Sequence, residues 1–378
     1  MDTLGVGIIG FGFIGKAHAY GYLNMPLFYD PVPVRTKLVG VATSRPETAQ
    51  KAKEIGGFEF GTSDWRELIK REDIHIINIC TPNSQHTEQL LEAMAAGKHI
   101  YCDKPLVVGK DAIEKIEKAL CEYKGIGQMT FNYRFLPATI RAKRLIEEGF
   151  LGNVIGFRAA YLHSGQVDPN IPMRWKQLKS EGAGVLQDLG SHVVDLMDWY
   201  IGPFEKVLAE LRILYPTRPN QNGQIVQVEA DDQVVMLVRL PNGTIGTLEA
   251  SKIATGTEDE FRFEIHGDKG AIRFNLMDLN WLEAYDLRDV DAPLGGSRGW
   301  KKISCVQKYD KPAVFPSGKA SIGWLRGHMH CLYNFLLAVA EGKPAEPSLK
   351  RGLYVQKLLA AVEESALTHS WVDFPKPF

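Results

Sequence analysis

Near its start the chain reads Val6-Gly7-Ile8-Ile9-Gly10-Phe11-Gly12-Phe13-Ile14-Gly15, a short apolar run followed by a GxGxxG string. The run predicts a strand. The glycines predict a tight turn at Gly10, close approach of a ligand at Gly12 and close helix packing at Gly15. A helix that opens at Phe13 and Ile14 offers N–H groups and a partial positive charge to a pyrophosphate. We therefore predict that the first two glycines and the residues that open the helix bind a dinucleotide. A glycine-rich turn without a ligand is the alternative.

The segments around this string alternate between two patterns. Apolar runs predict strands at 6–9, 37–42, 75–79, 98–102 and 126–131. Helical patterns separate them at 47–54, 65–71, 87–96 and 112–123. Such alternation is typical of a doubly wound parallel sheet, so we predict a Rossmann domain over 1–130. The prolines of 22–36 predict an inserted loop after the first helix.

The pattern changes after Phe131. Strand-like segments dominate, at 154–161, 207–215, 233–239, 245–253, 260–266 and 271–275. Helices are predicted at 138–148, 328–341 and 351–365. Leu240-Pro241-Asn242-Gly243-Thr244 has the composition of a hairpin turn. We therefore predict a second, α+β domain over 131–378, with a mainly antiparallel open sheet.

Composition excludes several classes of function. The formal net charge of −1 over 378 residues provides no general attraction for nucleic acid or anionic lipid. No apolar run approaches the roughly 20 residues of a membrane span, and no targeting signal is evident. The five cysteines form no CxxC pair, so we expect reduced thiols in a cytoplasmic protein.

The end of the second strand bears on the choice of cofactor. The chain there reads Val41-Ala42-Thr43-Ser44-Arg45, without the acidic residue that would accept hydrogen bonds from the 2′-hydroxyl of NAD. Ser44 and Arg45 could instead bind the 2′-phosphate of NADP, since a guanidinium pairs bidentately with phosphate. We expect NAD or NADP, with NADP slightly favoured. The alternative is that Arg45 is a solvated loop residue.

Two further strings follow predicted parallel strands. Thr81-Pro82-Asn83-Ser84-Gln85-His86 follows one strand, and Asp103-Lys104-Pro105 follows the next. Open α/β sheets bind ligands at the carboxyl ends of their strands, so we expect cofactor contacts here and Lys104 near the nicotinamide. A surface lysine in a turn is the alternative. The predicted cofactor contacts are Thr81, Pro82, Asn83, His86, Asp103 and Lys104.

The second domain contains a polar helical stripe. Asp188, His192 and Asp195 are spaced i, i+4 and i+7, which places them on one face of a helix beside an apolar stripe. Such a stripe can hold a half-buried functional pair. It can equally belong to a salt-bridged helix. No further ligands have suitable spacing, so no metal site is predicted.

Together these strings resemble the Gfo/Idh/MocA oxidoreductases. The resemblance covers the GxGxxG start, the TPN-x-x-H string and the DxGxHxxD helix. It also covers the family's EKP string, in which Asp103 replaces glutamate. Within the family, segment 161–175 and Ser370-Trp371-Val372-Asp373 most resemble the inositol dehydrogenase and levoglucosan dehydrogenase branches.

The resemblance implies that Lys104, Asp188 and His192 form the catalytic set. It also implies a homodimer or homotetramer that pairs through open sheets. The implied reaction oxidises a secondary hydroxyl of a cyclic polyol or sugar, with hydride transfer to nicotinamide and proton transfer to a base. Either Lys104 or His192 could accept the proton. The expected substrate contacts are Lys104, Tyr133, Arg134, Tyr161, His163, Trp175, Asp188 and His192. A redox-assisted glycosidase or lyase and a non-catalytic nucleotide sensor remain alternatives.

Overall fold

The computed structural model describes residues 3–315 and 317–377. The first part of the chain alternates strands and helices. They are β1 (Leu4–Ile9), α1 (Phe13–Phe28), β2 (Thr36–Ala42), α2 (Pro46–Gly56), β3 (Phe60–Thr62), α3 (Arg66–Lys70), β4 (Ile76–Ile79), α4 (His86–Ala95), β5 (His99–Cys102), α5 (Lys110–Glu122) and β6 (Gly127–Met129). The strands form a six-stranded parallel sheet in the order β3-β2-β1-β4-β5-β6. This order confirms the predicted doubly wound Rossmann fold.

Helix α1 corrects the predicted loop over 22–36. The helix continues through Pro26 to Phe28, and only the residues after Phe28 form the connection to β2. Tyr22 and Met25 are almost fully buried in the hydrophobic core of this part of the chain. Burial of this apolar face outweighs the backbone hydrogen bond that Pro26 removes, so proline does not end the helix here.

The later part of the chain contains the remaining elements. They are α6 (Pro137–Glu147), β7 (Val154–Leu162), α7 (Ser191–Ile201), β8 (Lys206–Arg212), β9 (Thr217–Pro219), β10 (Ile225–Gln227), β11 (Gln233–Arg239), β12 (Ile245–Ser251), β13 (Glu260–Gly267), β14 (Gly270–Asn275), β15 (Trp281–Asp286), β16 (Lys301–Ser304), α8 (Trp324–Glu341), α9 (Leu349–Thr368) and β17 (Val372–Asp373).

A nine-stranded sheet dominates this part, in the order β16-β15-β14-β13-β7-β12-β11-β8-β17. The pair β7–β12 is parallel, while its neighbours pair antiparallel, which confirms the predicted mainly antiparallel sheet. The predicted hairpin turn joins β11 to β12. Leu240 N–H donates to the Thr244 carbonyl at 2.8 Å, and Gly243 has a φ of 87°. Buried and more exposed residues alternate along β11 and β13, as expected when one face of a sheet packs on a core.

The chain divides into two compact units. Unit 1 comprises the described residues of 1–135, 309–317 and 323–356, and unit 2 those of 136–308, 318–322 and 357–378. This division differs from the predicted domains 1–130 and 131–378, because α8 belongs to unit 1. Leu332 and Phe335 of α8 are at most 1% exposed and share a core with Tyr22 and Met25 of α1.

The cysteines carry no disulfide. Cys80, Cys102, Cys121, Cys305 and Cys331 are all free thiols. Burial raises the pKa of the Cys80 and Cys102 thiols well above the ordinary value, so both are held as unreactive thiols. In the described ranges, each helix is too short or too polar to cross a membrane.

Candidate active site

The three glycines of the phosphate loop have different structural tasks. Gly10 has a φ of 90°, and a Cβ there would lie 2.5 Å from the Cys80 carbonyl oxygen. A Cβ on Gly15 would lie 2.2 Å from the Gly10 carbonyl oxygen. A Cβ on Gly12 would meet no atom within 4 Å, and Gly12 has an ordinary extended conformation. Gly10 and Gly15 therefore serve the fold, whereas Gly12 leaves open space at the N-terminus of α1. That space fits a pyrophosphate.

An aromatic pair adjoins this loop within unit 1. Phe13, the first residue of α1, is 74% exposed, and its ring stacks on Trp324 with centroids 5.4 Å apart. Trp324 opens α8, and its indole N–H donates to the Tyr133 hydroxyl at 3.4 Å. Tyr133 and Arg134, both predicted substrate contacts, are buried in unit 1. Sequence reasoning missed Trp324, although an aromatic residue directly after Gly323 at a helix start was a visible signal.

His86 joins the two strings that follow β4 and β5. Its Nδ1 lies 2.9 Å from the Pro105 carbonyl oxygen and its Nε2 lies 3.0 Å from the Thr81 carbonyl oxygen. Burial lowers the pKa of His86, partly opposed by Asp103 and these carbonyls. Both ring nitrogens thus contact the protein backbone, so His86 holds the two loops together. Direct contact of His86 with the cofactor stays a prediction.

The remaining residues of these strings lie where the sequence placed them, at the carboxyl ends of β4 and β5. Asn83 is buried in a 3₁₀ turn before α4, and the Thr81 hydroxyl donates to Gln89 Oε1 at 2.8 Å. Asp103 and Lys104 are half-buried, and the peptide bond between Lys104 and Pro105 is cis.

Two buried histidines, His18 and His328, lie close together in unit 1, and the charge of Lys104 acts on His328. The rings of His18 and His328 are 6.4 Å apart, and His18 Nδ1 lies 3.2 Å from the Cys80 sulfur. Burial lowers the pKa of His18 to about 3, partly opposed by Asn78. Burial, followed by the charges of His18 and Lys104, holds the pKa of His328 well below its ordinary value. Both imidazoles are therefore neutral at physiological pH, and sequence reasoning did not foresee this pair.

Ser44 and Arg45 lie between β2 and α2, at the sheet edge where the adenosine ribose is bound in this fold. The Arg45 carbonyl accepts hydrogen bonds from the Thr48 and Thr43 hydroxyls, at 2.9 and 3.1 Å. These bonds fix the loop backbone. Both Ser44 and Arg45 are exposed side chains, and no ion pair of Arg45 occurs among residues 3–315 and 317–377.

We predict that Arg45→Ala weakens binding of NADP more than binding of NAD, because only NADP carries the phosphate that the guanidinium would pair with. Calorimetric titration of the variant with both cofactors measures the two losses. Arg35→Ala, which changes another arginine of unit 1, is the control and should change neither affinity. Equal losses for the two cofactors would show that Arg45 is only a surface residue.

In unit 2 the predicted polar stripe is interrupted. Residues Leu186–Gly190 form a π-helical turn, and α7 begins only at Ser191. The i, i+4 register of a regular helix is therefore wrong for Asp188 and His192, because a π turn inserts an extra residue. Such turns are frequent at functional sites. His192 and Asp195 are buried, and Asp188 has a side chain that is 18% exposed.

Two lysines neutralise Asp188. Its Oδ2 lies 3.0 Å from the Lys252 ammonium and 3.2 Å from the Lys176 ammonium. The Lys252 side chain is only 9% exposed, whereas that of Lys176 is 50% exposed. Lys252 follows β12 and Lys176 lies in the turn Trp175–Gln177. Lys252 was missed because it is far from Asp188 along the chain and has no motif of its own.

An acidic residue organises the neighbouring aromatic side chains of unit 2. Asp259 Oδ1 accepts a hydrogen bond from the Tyr161 hydroxyl at 2.7 Å and lies 2.9 Å from His163 Nε2. Burial alone would raise the pKa of Asp259, but His163 and Tyr161 outweigh it and bring that pKa below the ordinary value. The Tyr161 ring also packs edge-on against His192, with centroids 6.0 Å apart.

The structure thus groups the predicted residues within each unit. Unit 1 holds the phosphate loop, Ser44, Arg45, the two strand-end strings with Lys104, and the pair Tyr133 and Arg134. Unit 2 brings Asp188, Tyr161, His163 and His192 to one end of α7, with Trp175 half-exposed beside Lys176. Among the described residues, no group of three or more His, Cys, Asp or Glu side chains is arranged to hold a metal ion.

Comparison with known proteins identifies related chains. Residues 4–131 match the oxidoreductase family with an NAD-binding Rossmann fold, GFO_IDH_MocA, and residues 139–273 match the GFO/IDH/MocA C-terminal domain. A levoglucosan dehydrogenase from Pseudarthrobacter phenanthrenivorans is 36% identical over 396 residues, covering 100% of this chain and 99% of that relative. A myo-inositol 2-dehydrogenase from Thermotoga maritima is 25% identical over 71% of this chain and 74% of that relative.

Solved structures agree with these matches. Levoglucosan dehydrogenase in complex with NADH and levoglucosan has a TM-score of 0.94 and 37% identity, covering 99% of this chain and 100% of that chain. The same protein in complex with NADH also has a TM-score of 0.94. The family matches confirm the predicted enzyme class. The chain therefore belongs to the Gfo/Idh/MocA family of oxidoreductases, and its N-terminal segment is an NAD-binding Rossmann domain.

Proposed function

We propose that the protein is an NAD(P)-dependent dehydrogenase that oxidises a secondary hydroxyl of a cyclic polyol or sugar. The observation that carries this proposal is the full-length match to levoglucosan dehydrogenase at 36% identity. The myo-inositol 2-dehydrogenase match supports the same substrate class, since levoglucosan and inositol are both rings with several secondary hydroxyls. The cluster around Asp188 and His192 supplies acid–base groups of the kind that such chemistry needs.

Proton transfer is assigned to three side chains. The nicotinamide, when bound, accepts the hydride. His192 is the proposed base for the hydroxyl proton, because an imidazole titrates near neutral pH. Asp188 orients the imidazole and the substrate as a fixed anion. Lys104 donates a hydrogen bond to the reacting oxygen and stabilises its developing negative charge.

Substrate orientation is assigned to the polar and aromatic side chains around these groups. Asp259 fixes Tyr161 and His163 of unit 2. A preorganised hydroxyl and imidazole suit hydrogen bonds with ring hydroxyls, because little side-chain freedom is then lost on binding. Trp175 is half-exposed and can pack on the apolar face of a sugar ring. We assign Tyr133 and Arg134 of unit 1 to the same substrate.

The dinucleotide site fits the proposed cofactor. The open space at Gly12 and the N-terminus of α1 would hold the pyrophosphate, and Ser44 and Arg45 would contact the adenosine ribose or its phosphate. The absence of an acidic residue at the end of β2 supports acceptance of NADP as well as NAD. We propose Thr81, Pro82, Asn83 and Asp103 as further contacts.

A substrate panel tests this function. Purified protein is incubated with levoglucosan, myo-inositol, scyllo-inositol or glucose, each with NAD and with NADP, and absorbance of reduced nicotinamide is followed. We expect net reduction of cofactor with at least one cyclic compound. No reduction with any of them would contradict the proposal. Conversion of a glycoside without net reduced cofactor would instead indicate the redox-assisted glycosidase or lyase.

A further inference from the structure

We infer that Lys252 is a positioning residue that holds the Asp188 carboxylate ionised and in place for proton transfer at His192. This inference rests on the proposed dehydrogenase function, to which it adds a residue outside the family motifs quoted above. The observation behind it is a buried ammonium within 3.0 Å of Asp188 Oδ2.

The backbone of Lys252 is fixed on both sides. Its N–H donates to the Asp232 carbonyl oxygen at 2.8 Å, and its own carbonyl accepts a hydrogen bond from the Gln166 N–H at 2.9 Å. The residue directly follows β12, which is paired with β11 over its whole length and with β7 from Gly246 to Ser251. The ammonium therefore extends from a rigid strand end, and its position is set before any substrate binds.

Burial distinguishes Lys252 from the second lysine at Asp188. Exposed ion pairs contribute little, because water and salt screen them and a long side chain loses freedom in forming them. Lys176, with half of its side chain exposed, is such a partner. Lys252 is more than nine-tenths buried, so removing its charge would deprive the carboxylate of a counter-charge that water cannot readily replace.

Other acidic groups adjoin the same ammonium. Burial raises the pKa of Asp231 and of Asp232, and the charge of Lys252 partly opposes both shifts. Each of these carboxyls also has a backbone partner, since Asp231 Oδ2 accepts from the Leu186 N–H at 2.8 Å and Asp232 Oδ2 accepts from the Leu214 N–H at 2.9 Å. Asp231 thereby fixes the start of the π-helical turn, and Asp232 fixes the segment after β8. Asp188 is the carboxylate with a direct ion pair to Lys252.

This arrangement assigns a role to Asp188. Two ammonium groups beside one carboxylate stabilise its negative charge. We infer that Asp188 provides a fixed negative charge in the turn that directly precedes His192 at the start of α7. Lys252 acts on the reaction through Asp188, and this dependence can be measured.

A double-mutant cycle tests the inference. Lys252→Met removes the ammonium and keeps the length of the side chain, and it is measured alone and in an Asp188→Asn background. We expect Lys252→Met to lower kcat about 10- to 100-fold, the order of loss when a buried carboxylate is deprived of a buried counter-charge, with unchanged affinity for NADH. In the Asp188→Asn background the same substitution should change kcat by less than about twofold. Lys252→Arg, which keeps the charge, should retain most of the activity.

Control measurements separate positioning from general stability. Lys206→Met removes a partly exposed lysine of the same unit, paired with Asp373 at 3.2 Å, and should leave kcat unchanged. If Lys252→Met does not fold, the melting temperature of the double variant with Asp188→Asn tests the inference. Removal of both charges should restore stability that Lys252→Met alone loses. A double variant no more stable than Lys252→Met, or equal fold-losses in kcat in both backgrounds, would overturn the inference. Failure of the wild-type protein on the whole substrate panel would instead contradict the proposed function.

Discussion

Lys104→Ala and His192→Ala are each expected to lower kcat about 100- to 10,000-fold, the range that general acid–base groups contribute, while NADH affinity changes far less. The reason is that neither side chain is part of the loop that we propose holds the pyrophosphate of the dinucleotide. His192 packs against Tyr161 in unit 2, and Lys104 lies at the end of β5 in unit 1. Steady-state rates, calorimetric affinity for NADH and melting temperature are measured for each variant.

The double variant provides the stricter test. If Lys104 and His192 act as one catalytic unit, their combined loss is much smaller than the product of the two single losses. Purely structural roles would give lowered melting temperatures, near-normal turnover in the folded fraction and independent effects. Lys53→Ala and His369→Ala, at sites outside the predicted site, are the controls. Near-normal turnover of both single variants on an authentic substrate would refute the mechanism, even with fold and cofactor intact.

The local parts of the site could be predicted from the sequence. The turn at Gly10, the open loop at Gly12 and the helix that follows depend on residues close together in the chain. Hydrophobic periodicity located most of the long strands for the same reason. The hairpin between β11 and β12 was also predictable, because Asn242-Gly243 by itself favours a tight turn.

The parts that depend on distant contacts could not be predicted. Burial of Tyr22 and Met25 against α8 keeps α1 helical beyond Pro26. The sequence rule that proline ends a helix takes no account of such burial. The short strands β3, β9, β10 and β16 have three or four residues each and lack the apolar run that marks the equally short β4 and β5. Lys252 and Asp259 reach Asp188, Tyr161 and His163 only through the pairing of the nine-stranded sheet. The π-helical turn at Asp188 likewise depends on packing around it.

Gly12→Val should abolish tight cofactor binding without destabilising the protein. Gly12 has a φ of −76° and a ψ of −153°, a conformation that valine accepts, and a Cβ there meets no protein atom within 4 Å. We therefore expect that the lack of a side chain at Gly12 serves a ligand and not the fold. A valine side chain would occupy the space that the pyrophosphate needs, so we expect affinity for NAD and NADP to fall about 10- to 100-fold or more. Calorimetric titration and thermal unfolding measure the two effects.

Gly15→Val is the matched control, because it should destabilise the fold, whereas Gly12→Val should weaken cofactor binding. A Cβ on Gly15 would lie 2.2 Å from the Gly10 carbonyl oxygen, and backbone cannot move aside as a flexible side chain can. We expect a marked fall in melting temperature or loss of folded protein. Gly12→Ala, with a single added methyl group, should weaken binding less than Gly12→Val. A folded Gly12→Val variant with unchanged affinity for both cofactors would remove the loop from the cofactor site. A destabilised one would show that Gly12 also serves the fold.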